Sequence, residues 1–149
     1  MNFRQKVYEG YINWVASRIG TLRAAMEELS TGLQSETKST AGDKYETGRA
    51  MIHIEQENLG RQLATLSEQQ AALAHIDINA YTGAIIAGSL VLTSQGYLFP
   101  GVALGKLVVD GVQVFALSPA APLGLVLMGK NSGDTFRFRN TEYIIEAVF

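Results

Sequence analysis

Residues 8–33 read YEGYINWVASRIGTLRAAMEELSTGL. Tyr8, Ile12, Val15, Ile19, Leu22, Met26, Leu29 and Leu33 recur at steps alternating between four and three. That is the spacing of a coiled-coil seam, sustained for more than three heptads. No proline precedes Pro100, so nothing need break the helix. Gly10, Gly20 and Gly32 each cost a helix about 1 kcal/mol relative to alanine, which packing along the seam must offset. A related series follows: Tyr45, Ile52, Leu59, Leu63, Leu66 and Leu73, with Gln56 and Gln70 in the same register. Folding the chain back at Ser39 makes partner numbers add up to 78, so that Leu33 meets Tyr45, Met26 meets Ile52 and Ile19 meets Leu59. The same register sets Tyr8 opposite Gln70. The expected element is an antiparallel pair of helices, each of about 30 residues and hence about 45–50 Å long. Membership of a larger helical bundle is the alternative, although no other long helical segment occurs.

At the fold-back lies ETKSTAGDKYE, residues 36–46, with three carboxylates and two lysines around a small turn-forming STAG. Asp43 and Glu46 are three apart and share one helix face. Glu36 lies almost opposite Asp43. A structural reading is equally open for these acids. Thr40 and Asp43 have the spacing of a capping box, and Glu46 is placed to pair with Arg49.

After Asp77 the period changes. Short runs rich in β-branched and aromatic residues are separated by glycines: AIIAGSLVLTSQGYLF, KLVVDGVQVFAL, TFRFRN and EYIIEAVF. Asp110-Gly111 between two such runs signals a two-residue hairpin turn of type I′. PLGLVLMG suits a short helix opened by Pro122 and stopped at Gly129. The fold class is therefore α+β: an N-terminal antiparallel coiled-coil hairpin over 1–77, then a small antiparallel sheet domain with one short helix over 78–149.

Composition sets the outer limits. The chain has 149 residues, 47% hydrophobic and 17% charged, with net charge −2. Residues 1–77 carry 8 basic and 10 acidic side chains, and 78–149 carry 4 of each. Neither half has the basic excess of a protein that binds nucleic acid unaided. The absence of cysteine excludes disulfides, thiolate zinc sites and cysteine nucleophiles. No apolar run approaches the roughly 20 residues a bilayer span needs. The charged start is not a secretory signal, and a cytoplasmic location is expected. His53 and His75 are solitary, and nothing resembles a phosphate-binding loop, a dinucleotide fingerprint or a catalytic triad.

The stretch LSPAAPLGLVLMGKNSGDTFRF, Leu117 to Phe138, resembles the C-terminal signature of the GreA and GreB type of transcription elongation factors. Ser118, Pro119, Pro122, Leu123, Gly124, Leu127, Gly129, Lys130, Gly133 and Asp134 match that family's pattern, S-P-x-S-P-L-G-x-A-L-L-G-K-x-x-G-D. Ala121 replaces the usual serine, Val126 the usual alanine, and Met128 stands where leucine or isoleucine is common. The order of parts, a helical hairpin and then an FKBP-like sheet domain, is similar over nearly the whole chain. The signature is mostly structural, with Asp134 expected to cap a turn. FKBP-like architecture by itself implies no prolyl isomerase activity.

The resemblance implies a transcript cleavage factor. In such factors the hairpin enters the secondary channel of RNA polymerase, and tip acids help hold a second magnesium ion and a water while the polymerase cleaves backtracked RNA. The chain is then not an enzyme itself. It binds no metal or cofactor stably and shares the magnesium of the polymerase active site. Its partner is RNA polymerase. It reaches nascent RNA only indirectly and DNA only through that complex, and it has no membrane partner. Asp43 and Glu46 are the tip acids this implies, with Glu36 a third. Ser118, Pro119, Pro122, Gly124, Gly129, Lys130, Gly133 and Asp134 serve structure or polymerase docking. The tip departs from the family's D-L-S-E-N-A-E-Y. Aligning Asp43-Lys44-Tyr45-Glu46 on D-x-x-E keeps the acids, whereas aligning Tyr45 on the family tyrosine puts Lys38 and Ala41 at the acidic positions. Two other readings stand beside cleavage: a channel binder that modulates transcription without cleavage, and a coiled-coil adaptor unrelated to polymerase.

Overall fold

The computed structural model describes residues 1–37 and 42–149, with the side chains of 33, 35–37 and 42–45 outside the description. The fold-back at Ser39 and the capping residue Thr40 therefore lie outside the described residues. Two long helices, α1 (Phe3–Thr37) and α2 (Gly42–Ala74), precede six strands and a short helix α3 (Pro122–Leu127). The strands are β1 (Val91–Thr93), β2 (Gly96–Pro100), β3 (Gly105–Val109), β4 (Val112–Leu117), β5 (Thr135–Phe138) and β6 (Thr141–Val148). The fold is α+β. Contacts divide the chain into two compact units, Val15–Glu68 and Met1–Trp14 with Gln69–Phe149.

In the helical unit the seam is real. Val15, Ile19 and Leu59 are buried, and Leu22, Met26, Leu29, Ile52, Leu63 and Leu66 are half-buried. The helices run antiparallel: a Cβ on Gly32 would lie 3.9 Å from Ile52, while Ala25 and Leu29 line a surface depression with Leu59 and Glu55. The pairing differs from the expected one. Gly32 with Ile52 adds up to 84, against the 78 read from the fold-back. Side chains on an α-helix lean toward their own N-terminus. A lean of about one position on each helix adds only about two to the sum, so the remainder is a true shift of register from the one centred on Ser39.

In the sheet unit the strand order is β3-β4-β2-β1-β6-β5. Four of the five neighbouring pairs are antiparallel, and β2 pairs with β4 in parallel. The sheet is thus mostly antiparallel, as expected, with one parallel pair. The Asp110-Gly111 turn forms as expected, with φ of 50° and 77°, and it fixes β3 against β4 locally. Which of the two lies beside β2 is a matter of burial. Strand β4 supplies the buried Val114, Ala116 and Leu117, whereas β3 has no fully buried residue and takes the edge. The chain leaves β2, crosses outward as β3 and returns between them as β4.

The first turns of α1 pack on this sheet with a second apolar stripe. Val7 and Tyr11 are buried beside the seam. The Tyr11 ring stacks on Phe99 with centroids 5.8 Å apart, and its hydroxyl lies 2.7 Å from the Gly105 carbonyl and 3.2 Å from that of Val114. Gly10 permits the approach, because a Cβ there would stand 3.1 Å from Leu107 and 3.3 Å from Val109. Tyr8 donates to the Leu73 carbonyl at 2.7 Å, a correction to its expected place opposite Gln70, which is exposed. Ile85, Leu98, Leu117, Leu127, Phe136 and Ile145 form the core under α3.

Candidate functional site

The signature residues fold into a clasp around α3. Pro119 is half-buried and follows the turn residue Ser118. The Ser118 hydroxyl accepts the Ala120 N–H at 3.1 Å, and its carbonyl accepts that of Ala121 at 3.1 Å. Pro122 then occupies the first turn of α3, where a missing N–H costs nothing. Gly124 is buried with no room for a side chain, since a Cβ would run into the Ser118 carbonyl oxygen and the backbone of Pro119. Gly129 ends the helix at φ 83° and donates to the Ile85 carbonyl at 2.9 Å. The Lys130 carbonyl accepts the Ile85 N–H at 2.8 Å, while its ammonium sits 5.9 Å from the centre of the Phe136 ring. Gly133, at φ 93°, donates to Ile145 at 2.7 Å. The Asp134 carboxylate accepts the Asn131 N–H at 2.8 Å, which is the turn cap read from the sequence. Prolines, glycines and the acid thus each satisfy a backbone requirement of one loop-helix-turn unit.

Beside the clasp runs a shallow apolar groove of about 420 Å³. Phe115, Leu117, Pro122, Leu123, Phe138 and Arg139 line it. Phe115 stands on the outward face of β4 and is 38% exposed. The Arg139 guanidinium lies 5.1 Å from the centre of the Phe138 ring, so a cation rims an apolar floor. Arg139 and Asn140 make the β5–β6 turn with φ of 49° and 62°. This turn has the type I′ pattern without a glycine, which is why composition did not flag it. The groove itself was also missed. Its one sequence signal was Phe115, an aromatic at an outward position of an alternating strand.

The tip acids are less fully placed. Glu46 is exposed near the start of α2. Asp43 and Glu36 belong to α2 and α1 by backbone, and their side chains lie outside the described residues. Lys38 and Ala41, on which the competing alignment turns, also lie outside. Among the described residues, no three His, Asp or Glu side chains gather to hold a metal ion, and His53 and His75 are exposed. Among the described residues no helix is long and apolar enough to cross a membrane.

No family model matches the chain, and no curated protein matches it. Solved structures similar to it include the following two. One is the transcription factor Gfh1, 14% identical over 93% of each chain, with a TM-score of 0.40. The other is the GreA factor homolog 1 (Gfh1) protein of Thermus thermophilus, 18% identical over 93% of this chain and 94% of that one, with a TM-score of 0.38.

Proposed function

We propose that the chain is a Gre-like transcription elongation factor of the cytoplasm that binds RNA polymerase and stimulates cleavage of backtracked RNA. The observation that carries this reading is the clasp from Ser118 to Asp134. The residues that resemble the family signature are the ones that meet specific backbone demands in this fold. Chance matches would not fall so regularly on positive-φ glycines, a helix-opening proline and a turn-capping acid.

In this reading the two parts divide the work. The apolar groove beside the clasp, rimmed by Arg139, docks the sheet domain on the polymerase. The helical pair carries Asp43 and Glu46 into the secondary channel, with Glu36 as a third acid. Magnesium takes oxygen ligands and is commonly held by only one or two protein carboxylates. The chain's acids would complete an ion site that the polymerase supplies, and they would orient the water that attacks the RNA phosphodiester. The chain has no catalysis of its own.

The deciding experiment uses stalled, backtracked complexes of the cognate polymerase. The intact chain is expected to accelerate release of the short 3′ RNA fragment, and the Asp43→Ala/Glu46→Ala double variant to bind without accelerating it. Binding with no cleavage by the unaltered chain would sink the cleavage reading.

A second reading rests on the tip sequence. If Tyr45 is the counterpart of the family tyrosine, the acidic positions hold Lys38 and Ala41, and the chain occupies the channel without cleaving. It would then inhibit or modulate transcription to the same extent with and without the two acids.

A further inference from the structure

The sheet ends in two edge strands, β3 and β5. Strand β3 is joined to β4 by the two-residue turn Asp110-Gly111, both at positive φ. Such a turn is closed by a hydrogen-bonded pair, here Val109 and Val112, and in an antiparallel ladder bonded pairs recur at every second residue. Leu107 with Val114 and Gly105 with Ala116 are therefore bonded as well. The N–H and C=O groups of Lys106 and Val108 point the other way, off the sheet. The same parity on β4 turns Leu117 toward β2, and its carbonyl accepts the Gly101 N–H at 2.9 Å as required. Among the described residues no other backbone group pairs with Lys106 or Val108.

Open edges invite another strand, and proteins ordinarily protect them with proline, bulges or charge. Strand β5 is protected. It has four residues, and by the same parity from the Arg139-Asn140 turn, Arg137 takes one of its outward positions. Strand β3 has no proline and keeps an unbroken register with β4. Its outward residue Val108 is a β-branched aliphatic, 64% exposed. Leu107 and Val109 on either side stay half-buried, although Gly10 of α1 packs against them. The edge thus presents three consecutive aliphatic residues, and the strand's one charge, Lys106, stands to one side of them.

We infer that β3 pairs antiparallel with β3 of a second copy of this chain, in the register centred on Val108. A two-fold contact is self-complementary, each residue meeting its own image or one that meets it in return. About Val108, the two valines face each other and exchange both backbone hydrogen bonds, while Leu107 stands opposite the partner's Val109. Lys106 comes level with the partner's Asp110, so opposite charges flank the contact at each end. Asp110 is bonded to Lys6 at 2.8 Å and remains 58% exposed. Centring on Leu107 instead would bring the two lysines into diagonal reach, which like charges oppose. Strands this short bury less than the roughly 800 Å² per partner of a standard interface, so the dimer is weak, dissociating on the order of 0.1–1 mM. The pairing does not rest on the polymerase reading.

The test uses the intact chain, whose lack of cysteine makes cross-linking specific. As its concentration is raised to about 2 mM, sedimentation is expected to show a monomer–dimer equilibrium, with amide shifts moving most from Lys106 to Asp110. Val108→Lys sets a lysine against its own image at an exposed edge position. It is expected to weaken the dimer at least tenfold, with the melting temperature of the dilute protein unchanged. Directly opposed residues of a bonded pair lie about 5.5 Å apart at Cα, within disulfide reach. Val108→Cys is therefore expected to oxidise to a covalent dimer at least fivefold faster than Leu125→Cys, a control at a position 69% exposed. A monomer at the highest concentration, shifts centred on the helical unit or on β5, a dimer indifferent to Val108→Lys, or equal oxidation rates would each overturn the proposal.

Discussion

Gly124 of α3 packs directly on the carbonyl oxygen of Ser118, so closely that no Cβ fits between them. The same carbonyl accepts the Ala121 N–H that starts the helix. Gly124→Ala must push α3 off the Ser118-Pro119 turn and open the core around Leu127. The expected cost is about 2–4 kcal/mol, at the upper end of overpacking effects because the clash is with backbone. Thermal or denaturant unfolding of the two proteins measures it, and a loss below about 0.5 kcal/mol would contradict the geometry.

Tyr11 makes alkaline stability a readable quantity. Burial of its phenol pushes the pKa up to about 12, from an ordinary value of 10.0. The folded state thus holds the proton more tightly than the unfolded chain. This contribution is fully present below pH 10 and is lost as pH rises from about 10 toward 12. The loss is on the order of 3 kcal/mol, at about 1.4 kcal/mol per pKa unit. Tyr11→Phe removes the hydroxyl bonded to Gly105 and is expected to lower stability by about 1 kcal/mol near neutral pH. In pH-dependent unfolding its stability should decline less steeply than the parent's above pH 10. Parallel curves would show that the phenol is not the titrating group.

On the proposed reading, docking on RNA polymerase depends on the groove. Phe115→Ala with Arg139→Glu removes an exposed aromatic and reverses the rim charge. Affinity for the cognate polymerase should fall at least tenfold in a direct binding assay, with the chain still folded and only modestly less stable, because Phe115 is 38% exposed and Arg139 is exposed. Undiminished binding would move the docking surface elsewhere.

At the tip, Glu46→Gln keeps shape and removes charge. On the cleavage reading it should reduce RNA cleavage at least tenfold at unchanged polymerase affinity, and higher magnesium should restore part of the loss. On the non-cleaving reading the variant behaves like the parent in every transcription assay. Unfolding free energies within about 0.5 kcal/mol of each other would confirm that an exposed surface charge is all that changed.

Much of this protein was legible from residue order alone because the signals were local. The four-three spacing from Tyr8 to Leu33 demanded a helix with one buried face. Asp110-Gly111 demanded a turn with two positive φ values, and Pro122, Gly129 and Asp134 each announced a helix start, a stop and a turn cap. Each depends on neighbours within a few positions.

Tertiary structure decided what local pattern leaves open. The parallel pairing of β2 with β4 follows from which strand has more apolar surface to bury, a competition between segments. The helix register, with Gly32 beside Ile52, was set by which side chains pack across the pair and not by the fold-back centre read from the sequence. Gly10 read as a cost until Leu107 and Val109 came against it. Phe115 and Arg139 are unremarkable apart and form a groove only when β4 and the β5–β6 turn converge. Arg4 is buried only because Gly88, far along the chain, comes against it and accepts its Nε–H. Periodicity and turn chemistry are written in consecutive residues. Burial and the field of a charge belong to whatever the folded chain brings near.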